Sequence, residues 1–292
     1  MADLKVIKIG GNVIDNNLAL ERFLRDFAAL EGRKILVHGG GKLATRMAER
    51  LEVKQQMVDG RRITDRSTLD VVTMVYAGLI NKRIVAMLQS FGCNALGMSG
   101  ADGGIIRANR RSPEPIDYGF VGDIAEVDGK RLQQLTTEGI TPVICSIMHD
   151  GKGSLLNCNA DSVASAVAAG VAREEAAELH FCFDKAGVLR DVNDPSSLIS
   201  EITAESYPSL KAEGVISDGV CLLAGTHTIV KAVYLVTTIG GGSITSVLHL
   251  HHNHELALAE NLNDVGGYIS IMGKQDDGQG VLEARVDTQQ DQ

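Results

Sequence analysis

Two apolar runs near the amino end of the chain, Val6-Ile7-Lys8-Ile9 and Lys34-Ile35-Leu36-Val37-His38, each finish in glycines, Gly10-Gly11 and Gly39-Gly40-Gly41. About thirty residues separate them, enough for a crossover helix, and strand, glycine turn and helix in repetition demand a parallel sheet. Glycine at such a turn lets backbone N–H groups approach an anion without a Cβ in the way, and the positive end of the next helix completes the site. Two turns of this kind in one sheet imply a pair of anions. Lys8, beside the first, implies a phosphoryl group passing between them.

The alternation continues along the chain, so the fold class is α/β, with a mostly parallel central sheet and helices on both faces. Helices are expected near 17–30, 43–51, 67–91 and 160–172, and strands at Ala95–Met98, Thr141–Cys145 and Leu179–Phe183. The segment 103–128, with Pro113, Pro115 and Tyr118-Gly119-Phe120-Val121-Gly122-Asp123, reads as a hairpin. A chain of 292 residues has room for two lobes, and we place their boundary near Phe183, giving 1–182 and 183–292.

A net charge of −9 and the absence of any lysine and arginine block exclude nucleic acid as a partner. The sequence enters strand pattern at once and shows no apolar run of membrane-spanning length, so a cytoplasmic protein without membrane contact is expected. Five scattered cysteines, none in C-x-x-C spacing, indicate neither a disulfide framework nor a thiolate metal site.

Each motif has a plain alternative. A lone Gly-Gly after a strand is commonly only a tight turn. The dinucleotide fingerprint is absent, because Gly39-Gly40-Gly41-Lys42-Leu43-Ala44 lacks its third glycine. Lys8 lies in an apolar strand, where an unpartnered lysine is costly, so it either reaches the surface or meets a phosphate. Arg61-Arg62 reads as a solvated pair or as a bidentate carboxylate clamp. Asn157 and Asn159 alternate on a strand leading to Asp161, which stands in the first turn of the next helix and could cap it.

The order Gly10-Gly11, Gly39-Gly40-Gly41, Asp59-Gly60-Arg61-Arg62-Ile63-Thr64-Asp65, Leu156-Asn157-Cys158-Asn159-Ala160-Asp161, Asp184-Lys185-Ala186-Gly187-Val188-Leu189 resembles the amino acid kinase family over roughly residues 4–219. Within that family the likeness is to the branch acting on N-acylated glutamate. The resemblance implies a three-layer α/β/α sandwich, with an N-terminal lobe for the acylglutamate and for dimerisation, and a C-terminal nucleotide lobe. It implies a homodimer, and ATP as phosphoryl donor with Mg²⁺ carried on the nucleotide. Lys8 would neutralise the phosphoryl group in transit and Asp161 would orient the catalytic lysines. Arg62 would hold the α-carboxylate, Gly39, Gly40 and Gly41 the side-chain carboxylate, and Asn157 the acylamino group. Gly10, Gly11, Asp184, Gly187 and Val188 fall to the nucleotide. The acyl group, acetyl or succinyl, stays open. Carbamate, aspartate and glutamate kinases of the same fold, and a non-catalytic ligand-binding relative, are the alternatives. Arginine-inhibited members carry an extra helix before the first strand, which here starts near residue 4, so the resemblance implies no arginine feedback.

The chain departs from the family pattern after Ser217-Asp218-Gly219. Leu223 occupies the position of a second catalytic lysine, and the next lysine is Lys231. Beyond residue 220 lie only Lys231, Lys274 and Arg285 of the 28 basic residues, but five of the eight histidines. Three readings stay open: a diverged nucleotide lobe, a lobe with another role, or a reading-frame shift or sequence error after codon 219. Ala232-Val233-Tyr234-Leu235-Val236 suits a core strand. His249, His251, His252 and His254 have strand spacing that invites a metal, yet such polar clusters are more often solvated, and no metal ligand is assigned.

Overall fold

The computed structural model describes residues 4–58, 61–183, 190–191, 193–197, 199, 207–215 and 232–236. Asp59, Gly60, Asp184, Gly187, Val188, Leu223, Lys231 and the His249–His254 run lie outside the described residues.

Strand β1 (Leu4–Ile9) leads into a single helical turn, α1 (Gly11–Asp15), and then α2 (Asn17–Ala29), β2 (Arg33–His38) and α3 (Gly41–Arg50). A small hairpin, β3 (Gln56–Val58) and β4 (Arg61–Ile63), precedes α4 (Arg66–Thr73), which passes through a π-helical stretch, Met74–Ile80, into α5 (Asn81–Ser90). After β5 (Ala95–Met98) come β6 (Ile106–Arg110), β7 (Gly122–Val127), α6 (Gly129–Thr137), β8 (Thr141–Cys145), β9 (Ile147–His149) and β10 (Leu155–Asn157). The described chain closes with α7 (Ala160–Ala172), β11 (Ala177–Phe183), α8 (Tyr207–Ala212) and β12 (Ala232–Val236).

Six strands form one sheet in the order β12-β11-β1-β2-β8-β5, every pairing parallel. Parallel strands share one carboxyl edge, so the glycine turns after the neighbours β1 and β2 stand side by side, with Ile9 opposite His38. β12 extends this sheet beyond the expected lobe boundary near Phe183.

Period-2 alternation sorts the side chains into two cores. Leu4, Val6, Ile35, Val37, Ile144 and Leu179 face α7, α6 and the β6–β7 hairpin. Ile7, Ile9, Leu36, Val143 and Cys145 face the layer of α2 and the α4–α5 helix. The result is the three-layer α/β/α sandwich expected from the sequence. The small residues of α7 allow close approach: a Cβ on Gly129 at the start of α6 would stand 2.1 Å from the Gly170 carbonyl oxygen.

The 67–91 helix exists as one rod from Arg66 to Ser90, but with the π stretch inside it. Contrary to the sequence expectation, this rod is long and apolar enough to cross a membrane. Its apolar face, through Val71, Val72, Val75, Ile80, Ile84 and Leu88, is buried against the sheet, which accounts for its composition.

Candidate active site

The carboxyl edge of the sheet carries a cavity of about 210 Å³ lined by Gly39, Gly40, Gly41, Arg62, Asn157 and Asp161 among others. Six separate stretches of chain, Gly39–Gly41, the β3–β4 hairpin, Tyr76, Val121, Ser146 and Asn157–Asp161, therefore meet where ligands bind in open parallel sheets.

Lys8 projects from β1 on the α7 face, and its Nζ lies 2.5 Å from Oδ1 of Asp161, with 16 % and 28 % of the two side chains exposed. The lysine thus meets a carboxylate and stays partly exposed; it does not itself line the cavity, which it adjoins through Asp161. Asp161 does not cap α7, as the sequence allowed. Asn159 is the cap, its Oδ1 accepting from the backbone N–H groups of Asp161 and Ser162 at 2.7 and 3.2 Å. An Asn cap frees the aspartate for the lysine and leaves its charge in the first helical turn, where the dipole favours it.

Arg62 sits on β4 with only 7 % of its surface exposed. One nitrogen donates to the Gly41 carbonyl at 3.0 Å and to Thr45 Oγ1 at 2.9 Å, and another donates to Gln55 Oε1. Among the described residues no carboxylate pairs with this buried cation. A guanidinium held by neutral acceptors at a cavity wall is built to receive an anion. Asn157, at the end of β10, donates from Nδ2 to Thr64 Oγ1 at 3.1 Å.

The two glycine turns differ. The Gly10 N–H donates to the Cys182 carbonyl at 2.7 Å, which prolongs the β1–β11 ladder, whereas a Cβ on Gly11 would meet nothing within 4 Å. Gly40 has φ +149°, a backbone that only glycine adopts readily, and a Cβ there would run into Ile80 Cδ1 at 2.1 Å. Among the described residues no protein acceptor takes the N–H groups of Gly40 and Gly41, and Gly40 precedes the ten-residue helix α3. Lys42 donates to Asn12 Oδ1, and Arg46 meets Asp15 at 2.8 Å, so α3 is tied to α1 and the turns are held together. Below the second turn, His38 is buried completely; its Nδ1 lies 2.9 Å from the Gly39 carbonyl oxygen and its Nε2 3.0 Å from Asn81 Nδ2. Burial lowers its pKa to about 4, so the ring is neutral at ordinary pH.

Sequence reasoning missed Tyr76, Ser146 and Met57, which also line the cavity, as does Val121 of the segment that in the family shapes the substrate pocket. Tyr76 sits in the π stretch, and no sequence pattern announces such a stretch. Of the expected nucleotide residues beyond the first turn, Asp184, Gly187 and Val188 follow β11, which ends at the same sheet edge.

A parallel α/β sheet with two glycine turns, a lysine–aspartate pair and an arginine at one edge defines a phosphate-handling protein. The family model described as "Amino acid kinase family" matches residues 3–237, and the chain belongs to that family. It is 53 % identical over 220 residues to an acetylglutamate kinase of Cytophaga hutchinsonii, covering 75 % of this chain and 83 % of the relative. An acetylglutamate kinase of Methanopyrus kandleri is 41 % identical over 220 residues, covering 74 % and 85 %. The fold is also that of the crystal structure of smu.665 from Streptococcus mutans, with a TM-score of 0.61 and 24 % identity over 74 % of this chain and 85 % of that one.

Proposed function

We propose that this chain transfers the γ-phosphoryl group of ATP to the side-chain carboxylate of N-acetylglutamate, forming an acyl phosphate in arginine biosynthesis. The observation that carries the reading is the buried Arg62 cation without a carboxylate partner, in the same cavity as Gly39–Gly41 and Asn157. The relatives named acetylglutamate kinase support it.

In this reading Arg62 clamps the α-carboxylate, and the free N–H groups of Gly40 and Gly41 receive the side-chain carboxylate and the phosphoryl oxygens. With Nδ2 of Asn157 engaged by Thr64, its Oδ1 is left to accept the acylamide N–H. The acceptor carboxylate is ionised at neutral pH, so no general base is required and catalysis rests on positioning and charge neutralisation. Lys8, oriented by Asp161, supplies positive charge to the group in transit. Gly11, Asp184, Gly187 and Val188 border the nucleotide, held largely by the chain from residue 183 onward, and Gly10 serves through its turn. Asp161 is the single carboxylate lining the cavity among the described residues, which suits Mg²⁺ brought in on the ATP phosphates rather than held by the protein. The relatives named acetylglutamate kinase favour acetyl over succinyl.

None of the four described cysteines is in a disulfide and all are buried, in keeping with a reducing cytoplasm. Leu96 on the edge strand β5, 42 % exposed, and Met74 and Leu79 on the long helix are exposed apolar side chains that a homodimer could cover. Sedimentation at twice the chain mass is expected, and a monomer at micromolar concentration would remove the dimer from the proposal.

The substrate is tested by trapping the acyl phosphate with hydroxylamine. N-acetylglutamate should give the highest kcat/KM among N-acetylglutamate, N-succinylglutamate, glutamate, aspartate and carbamate. Free glutamate or aspartate as the better substrate would overturn the assignment.

A further inference from the structure

The second glycine turn has a support on its buried side that the chemistry above does not use. β2 alternates, so His38 points away from Lys8 and toward the long helix, where Asn81 begins α5 immediately after the π stretch. Asn81 is buried completely and its Nδ2 also donates to the Val143 carbonyl at 2.8 Å. That amide nitrogen can only donate, so His38 Nε2 accepts from it and the ring proton sits on Nδ1. The Nδ1–H then donates to the Gly39 carbonyl at 2.9 Å.

A trans peptide is planar, with its C=O and N–H pointing in opposite directions. The Gly39 carbonyl belongs to the same peptide as the Gly40 N–H. Fixing that carbonyl on the buried imidazole therefore turns the Gly40 N–H the other way, toward the cavity that Gly39, Gly40 and Gly41 line. Glycine on both sides makes this peptide unusually free to flip, because neither Gly39 nor Gly40 has a Cβ to oppose it. Ile80 and Tyr76, from the π stretch, pack beneath Gly40 and close the remaining space.

We infer that His38 is a positioning residue whose tautomer, set by Asn81, holds the Gly39–Gly40 peptide with its N–H aimed at the acceptor carboxylate and the phosphoryl group. The inference rests on the proposed function for the identity of those groups. The peptide orientation itself does not depend on it. A misaimed donor removes charge stabilisation where charge develops in transit, so the deficit belongs in kcat more than in KM.

Asparagine places a donor close to the position of Nδ1, whereas glutamine places one nearer to Nε2. His38→Asn should retain kcat within about tenfold, and His38→Gln should lose about a hundredfold, with the KM for N-acetylglutamate changed less than about fivefold in both. Equal losses in the two variants, or a loss confined to KM, would overturn the inference. Asn81→Ala keeps the imidazole but frees its tautomer; it should lower kcat with KM held, and an unchanged kcat would count against the tautomer lock. It also replaces His38→Gln if that variant does not fold. Crystal structures of His38→Gln and Asn81→Ala read the peptide directly. An unflipped Gly39–Gly40 peptide in both overturns the inference whatever the chain phosphorylates. A flipped peptide in a protein whose wild type ignores N-acetylglutamate overturns the functional reading instead.

Discussion

At the scale of single residues, charge is held where solvent can barely screen it. Among the described residues Lys8 pairs with one carboxylate, Asp161, and its side chain stays partly exposed, which suits the proposed role toward a transferring group. Lys8→Ala should lower kcat about a hundredfold or more with a smaller effect on KM, and an unchanged kcat in steady-state assays would take the lysine out of the chemistry. Arg62→Lys keeps the charge but loses the planar fork that now spans Gln55, Gly41 and Thr45. The KM for N-acetylglutamate should therefore rise more than that for ATP; a selective rise for ATP would put the residue in the other half of the site. His38 also makes the fold sensitive to acid. Its pKa is lowered from 6.5 to about 4 by burial, with Lys82 adding a smaller push in the same direction. The unfolded chain binds the proton first as pH falls, so the stability from the neutral ring is complete above 6.5 and is lost between 6.5 and 4, by about 3 kcal/mol. His180, also buried and lowered, adds to the same limb. Thermal midpoints between pH 7.5 and 4.5 should fall, and less steeply in His38→Asn. Identical slopes would show that His38 does not titrate as described.

At the scale of elements, the parts that repeat were legible and the parts that interrupt were not. β1, β2, β8 and α7 could be read from apolar runs and glycine turns, because burial on both faces leaves little choice of residue there. The β3–β4 hairpin escaped because three-residue strands carry no period, although it is the element that delivers Arg62. The sequence left capping of α7 open to Asp161, whereas Asn159, two residues earlier, is the cap; where the first turn begins decides between capping and pairing with Lys8. The support of Gly39–Gly41 by Tyr76, Ile80 and Asn81 depends on the π stretch, whose altered phase brings helix positions together in space that an even 3.6-residue period would separate. The two turns should respond differently to a methyl group. Gly40→Ala forces an alanine to φ +149° against Ile80 and should cost roughly 1–2 kcal/mol as well as turnover. Gly11→Ala meets no atom of the described residues and should leave the thermal midpoint unchanged while raising the KM for ATP. An unaffected KM there would detach the first turn from the nucleotide.

At the scale of the whole molecule, Gly39–Gly41, Arg62 and Asn157, the residues proposed for the acceptor, line one cavity, and the question is how much catalysis the chain as written retains. By resemblance Leu223 stands where a second lysine belongs, and losing one charge-assisted contact costs about 2–4 kcal/mol of barrier. N-acetylglutamate should bind, turnover should be slow, and Lys231→Ala should slow it further; family-like rates that survive this substitution would show that neither lysine is needed. The order of the central sheet has one more consequence, and it is kinetic. β1 precedes the other strands of this sheet in the sequence, yet it ends up in the interior of the sheet, and one of its two neighbours, β11, begins only at Ala177. Until that late segment has been synthesised, one flank of β1 is an unsatisfied ladder of peptide groups lined by apolar side chains, which is a template for pairing with another nascent chain. A strand interior to the finished sheet is thus exposed until β11 has been made, and the burden of keeping it from the wrong neighbour falls on the speed of translation and on chaperones rather than on the native structure.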